Sequence, residues 1–322
     1  MRPARTVSVR MNLWTLAATV VMIITYGAVG CSRTKRSAEP AVVPTSFSSP
    51  DEAGKALLAA SQSGDPNQLT KILGPASQPI VSSGDASEDQ AGRQSFVEKY
   101  NRMNRWVTLN DGSDVLYIGA DNYPFPVPLK KDASSRWRFD GASGVDEILS
   151  RRIGKNELLA IDAVAAMANA QELYYKTGHD GNPAHVYAQQ VISTAGKHDG
   201  LYWPSPDGKV ASPLGRVEEF ASDAVAAAAS GKQPEFDGYY VAILTAQGEK
   251  AKGGSKSYLV NGKLTGGFAF IAYPVKYGDS GIMTFILSRE GTVYQKDLGD
   301  KSGEIAAATK EYNPTDGWVP AE

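Results

Sequence analysis

Residues 156–176, NELLAIDAVAAMANAQELYYK, carry the longest helical pattern in the chain, and almost everything after residue 238 reads as strand. One long helix followed by an antiparallel meander is an α+β arrangement, so this order constrains the fold more than any other feature. Leu158, Ile161, Val164, Ala165, Ala168 and Tyr175 fall on one broad apolar face, and Gly178 ends the helix. A second, Ala-rich helix is expected over 216–230. Strands are expected over 239–244, 257–260, 267–273, 282–287 and 292–296. Asn261-Gly262, Gly278 to Gly281 and Glu290-Gly291 supply the turns between them.

The preceding segment, 47–153, repeats the logic in miniature. Ser49-Pro50-Asp51-Glu52 is a helix start, with Ser49 as cap, Pro50 at the first helical position and Glu52 completing a capping box. Gly64-Asp65-Pro66 breaks that helix and starts another, which ends at Gly74-Pro75. A third helix is expected near 89–103, with Phe96, Val97 and Tyr100 inward. Strands follow over 105–109, 114–118, 127–131 and 136–139, and Asn110-Asp111-Gly112 turns the first pair. Residues 145–153 read as a charged amphipathic helix or linker. The expected organisation is a signal segment (1–31), a tether (32–46), an α+β domain (47–153) and a second α+β domain (154–322).

The N-terminus speaks to location. Arg2, Arg5 and Arg10 precede a charge-free run from residue 11 to 30, and Ala28-Val29-Gly30-Cys31-Ser32 spans its end. Cys31 is the only cysteine in 322 residues and stands where a bacterial lipoprotein signal places its lipidated residue. Such signals usually carry Leu where Ala28 stands, and an uncleaved membrane anchor is the alternative, since the run is also long enough to span a bilayer. Either way the rest of the chain is expected to be exported, and Ser32 after the cysteine favours the outer membrane over the inner. With one cysteine no internal disulfide can form, so an apolar core must supply the stability. A net charge of −2 argues against general nucleic-acid binding.

Gly278-Asp279-Ser280-Gly281 resembles the loop that presents the serine nucleophile in trypsin-like proteases. That chemistry needs a base, an orienting acid and an oxyanion hole. Ile282 and Met283 follow the motif, and His179, His185 and His198 sit in loop-like contexts. The motif therefore reads as a β-turn, and no catalytic residue is assigned. The histidines and neighbouring acids match no zinc spacing, and Asp279, Asp297 and Asp300 are weak calcium candidates without a visible geometry. No cofactor is implied. The aromatic segments are the best candidates for a binding surface: Tyr123 and Phe125, Tyr202 and Trp203, Tyr239 and Tyr240. The competing expectation is that they pack the seam between the domains.

Nine ordered stretches carry a family resemblance, among them SSGD (82–85), YPFPVPL (123–129), RRIGKNELLAI (151–161), GKHDGLYWP (196–204), GYYVAILTAQG (238–248) and NGKLTGGFAFIAYPVKYGDSGIMTFI (261–286). Over 47–318 the chain resembles the bacterial family known as domain of unknown function 2950. The resemblance implies an exported, often lipid-anchored protein and no particular activity. The second domain also resembles the heads of type IV pilins and type II secretion pseudopilins, through Ala170-Gln171 and Tyr174, Asp180-Gly181 and Tyr187, and Ser280-Gly281 with Phe285. It lacks the uncharged upstream helix that polymerises such proteins. The first domain is similar to the curved-sheet cone folds of the nuclear-transport-factor-2 type, an analogy that carries no activity.

The expected function is non-catalytic binding or scaffolding by a lipid-anchored envelope protein, with the membrane and an envelope protein as the expected partners. An envelope hydrolase acting on wall polymers and an accessory component of a pilus or secretion machine are the alternatives.

Overall fold

Pro44 is the first residue described by the computed structural model, which covers 44–180, 183–204, 211–215, 224, 226–315 and 317–321. The basic leader, the apolar run, Cys31 and most of the tether lie outside the described residues, as does most of the expected helix 216–230. The last tether residues are already fastened to the body. Thr45 N–H donates to Lys71 O at 3.0 Å, and Phe47 exchanges backbone hydrogen bonds with Trp137 at 2.8 and 2.9 Å.

Helix α1 (Pro50–Ser63) starts as its sequence dictates: Ser49 Oγ accepts the Glu52 N–H at 3.2 Å. The Glu52 carboxylate reaches one residue further back than in a standard capping box, accepting the Ser48 N–H at 2.7 Å. Asp65 caps α2 (Pro66–Leu73), and the four-residue α3 (Gln78–Val81) follows. Helix α4 (Ala86–Arg102) begins three residues before the expected start because Asp85 accepts from the N–H groups of both Ser87 and Glu88. Strands β1 (Asn104–Thr108), β2 (Asp114–Ile118), β3 (Tyr123–Pro124), β4 (Leu129–Lys131) and β5 (Trp137–Phe139) form the first antiparallel sheet, ordered β1-β2-β4-β5 with β3 also on β2. Leu57, Leu116, Ile118, Val127, Leu129 and Phe139 are the centre of its core.

The sequence reading divided the next segment into a charged stretch and a separate helix. The structure has one helix, α5 (Gly141–Lys176). Its first turns lie hard against the first half, where a Cβ on Gly144 would sit 2.6 Å from Val127 Cγ2 and one on Gly141 2.5 Å from Leu73 O. Glycine is required there for close approach. The expected boundary between 153 and 154 falls inside this helix, and the described residues form one compact unit with two apolar cores. The buried stripe of α5 is also rotated from the expected face. It runs through Ala160, Val164, Met167, Ala170, Gln171 and Tyr174, while Leu158 is 61% exposed. Alanines on several sides of the helix left the direction of burial open in the sequence, and packing against the sheet decided it.

That sheet is β16-β14-β13-β12-β7-β6, built from β6 (Glu235–Phe236), β7 (Tyr239–Leu244), β12 (Ala269–Pro274), β13 (Met283–Ser288), β14 (Val293–Asp297) and β16 (Val319–Pro320). Between β7 and β12 come the short strands β8 (Ala246–Gln247), β9 (Lys256–Ser257), β10 (Leu259–Val260) and β11 (Lys263–Leu264), and β15 (Glu311–Tyr312) pairs with β8. All six residues of β12 are buried, because α5 and a helix over Ser302–Ala308 both pack on this strand. That is why AFIAYP reads as a continuous apolar run rather than an alternating one. The α+β class, with antiparallel sheets in both halves, is therefore as expected.

Candidate functional site: an apolar cavity and a clamped turn

The first half does not fill its own interior. Between α1, α2, α3, α4 and the β2–β3 edge lies a cavity of about 410 Å³. Leu57, Leu73, Val81, Phe96, Ile118 and Phe125 supply apolar walls. Phe96 and Phe125 meet with ring centroids 5.3 Å apart. Helix α4 adds polar lining from Glu88, Asp89, Arg93 and Lys99, with Gly92 on the same face. Most of these groups have local work. Asp89 accepts the Ser83 N–H at 2.8 Å, and that bond holds its carboxyl below the usual range. Lys99 donates to Asp121 at 2.7 Å. Tyr123, 40% exposed, sits at the mouth with the Lys99 ammonium 4.9 Å and the Arg151 guanidinium 5.3 Å from its ring centroid.

The aromatic candidates thus separate. Tyr123 and Phe125 line the cavity. Tyr239 and Trp203 are core residues of the second half, the latter 3% exposed. Tyr240 is half-buried against Tyr273, and Tyr202 is half-buried beside a backbone bridge to Ile192. Arg93 and Gly92 were not singled out from sequence. Their helical spacing to Phe96 and Asp89 was legible, but the empty space they face was not.

The GDSG segment is a turn, as the sequence implied. Gly278 has φ +72° and donates to Gly281 O at 2.9 Å, while Ser280 Oγ accepts the Lys276 N–H at 3.0 Å. The turn is clamped onto α5 by residues more than a hundred positions away. Asn156 Nδ2 donates to Ser280 O at 2.9 Å, and Glu157 Oε1 accepts the N–H groups of Ile282 and Met283, both at 2.9 Å. Arg152 pairs with Asp279, and Lys276 approaches the same carboxylate at 3.3 Å. Adjacent Arg151 faces the other half and donates to Pro124 O at 2.9 Å. The RRIGKNE stretch is therefore where one helix is fastened to both halves. Tyr239 completes the clamp by donating to Met283 O at 2.9 Å; burial, with the Glu157 charge, pushes its phenol well above the usual range. Gly281 is packed against this phenol: a Cβ there would lie 2.1 Å from Tyr239 Oη. Gly281→Ala is expected to cost about 3 kcal/mol through overpacking, read as a lowered midpoint in chemical denaturation. A loss below about 0.5 kcal/mol would show that the turn can swing away from the ring.

The remaining candidates have local roles. Asp297 accepts from the Gly299 N–H at 2.8 Å and from Tyr277 Oη at 3.2 Å, while Asp279 is the ion-paired residue above. Asp300 is exposed at the end of that loop. Among the described residues no group of three or more His, Cys, Asp or Glu is placed to hold a metal ion. His179 and His198 pack on the Trp203 ring at 5.3 and 4.5 Å, and burial, then the neighbouring His198, holds the His179 pKa below its ordinary value. His185 packs against Tyr175.

The fold and site together define an α+β protein with a ligand-sized apolar cavity in its first half and a helix shared by two cores. The chain belongs to the family described as protein of unknown function (DUF2950), whose model matches residues 44–320. No curated protein and no solved structure matches the chain, so neither the pilin-head nor the cone-fold likeness gains a structural counterpart.

Proposed function

We propose that this protein is an exported, lipid-anchored binding module that holds a small, largely apolar ligand at the face of a bacterial membrane. The observation that carries the reading is the cavity of about 410 Å³ walled by Leu57, Leu73, Val81, Phe96, Ile118 and Phe125. Ligand sites are concave and mainly apolar, with a few placed polar groups, and this space has that composition. The anchor rests on the sequence alone: the basic leader, the charge-free run and the solitary Cys31. Among the described residues no helix is long and apolar enough to cross a membrane. In this reading the lipid on Cys31 keeps the cavity near the membrane, and an envelope partner could receive or deliver its contents.

Gly92 offers a clean test. It is helical, it lines the cavity, and a Cβ there meets nothing within 4 Å. Gly92→Leu fills the space while improving helix propensity by about 1 kcal/mol. Native mass spectrometry of the full chain taken from membranes is expected to show a bound small molecule on the wild type and none on Gly92→Leu, with the thermal midpoint of the variant equal or higher. Cys31→Ser is expected to move the protein out of the lipidated fraction. A wild type without ligand, or a variant that keeps it, overturns the cavity reading; unchanged lipidation in Cys31→Ser overturns the anchor.

A further inference from the structure

We infer that the ligand is an amphipathic carboxylate, with its apolar body in the cavity and its carboxylate on Arg93; this rests on the cavity reading above. The argument is one of charge complementarity at the cavity wall. Four charged side chains line it. Asp89 is bound to the Ser83 N–H, and Glu88 accepts from Ser83 Oγ at 3.4 Å, so both carboxylates are turned to the loop that precedes α4. Lys99 is paired with Asp121. Arg93 alone among them makes no hydrogen bond or ion pair with the described residues; its interaction with Asp89, one turn earlier, is electrostatic and without contact.

Arg93 is half-buried as a residue, and a guanidinium with free donors beside an apolar space is a site for a planar anion. Its fork matches a carboxylate bidentately, which a lone ammonium does not do. Arg93 and Phe96 are three residues apart on α4 and therefore neighbours on one helical face, so a single ligand can meet both.

The test uses the full chain in phosphatidylcholine nanodiscs, labelled with photoreactive dodecanoic acid or with the matching dodecanol, and maps the crosslinked residues. The readout is the acid-to-alcohol labelling ratio at α4, compared between wild type and Arg93→Ala, so that partitioning of each probe into lipid cancels. The ratio is expected to fall about tenfold in Arg93→Ala and to recover only in part in Arg93→Lys, with alcohol labelling unchanged. Equal ratios in wild type and Arg93→Ala overturn the carboxylate assignment while leaving an apolar cavity site in place. Labelling of both probes that survives Gly92→Leu, or no labelling in the wild type, overturns the cavity reading itself.

Discussion

Gln171→Leu is expected to remove about 4 kcal/mol of folding stability, although the two side chains have similar volume. Gln171 is fully buried on the inner stripe of α5. Its Nε2 donates to Ala188 O and its Oε1 accepts the Ala188 N–H, both at 2.9 Å. The side chain thus stands in for a neighbouring strand, satisfying both backbone groups of a residue that is itself fully buried. Leu removes the partner and leaves two backbone groups in a dry site, each costing about 1–3 kcal/mol. In a protein of this size the thermal midpoint should fall by about 10 °C. Hydrogen exchange at the Ala188 amide should accelerate in the same variant. If the loss is below about 1 kcal/mol, solvent has replaced the side chain and the stand-in role is wrong.

Glu157→Ala should cost about 3 kcal/mol, the second largest effect of a single side chain. One carboxylate oxygen accepts two backbone N–H groups, of Ile282 and Met283, where β13 begins. Bonds to an ionised acceptor are stronger than neutral ones, and truncation to Ala removes this acceptor from both amides at once. Glu157→Gln keeps an acceptor oxygen but loses the charge, so about half the effect is expected. Urea denaturation of the two variants gives the comparison, and an Ala variant no weaker than the Gln variant would remove Glu157 from the clamp.

Much of the secondary structure was legible because it is decided by residues within four positions of each other. Ser49 and Asp65 cap their helices, and Gly278 turns β12 back towards β13. The Asp85 cap, with Glu88 three residues later, is the same kind of signal and explains the earlier start of α4. The continuity of α5 was not legible. Gly144 and Gly154 interrupt the pattern, and the charges over 145–153 look like a linker until Arg151 and Arg152 are seen to serve opposite neighbours. The aromatic pairs looked alike in sequence, yet Tyr239 went to the core and Tyr123 to the cavity mouth. Composition reports that a ring prefers burial; only the packing partners decide which ring finds it.

By itself the sequence determined the α+β class, the caps and turns and the family. Those features are written in short-range hydrogen bonding, apolar periodicity and a few ordered motifs. The cavity, the free guanidinium of Arg93 and the clamp on the GDSG turn were decided only by the tertiary structure. Glu157 and Met283 are 126 residues apart, and the cavity is the space that several helices and a strand edge leave between them. A local pattern cannot encode a contact at that separation, nor a volume that no residue occupies.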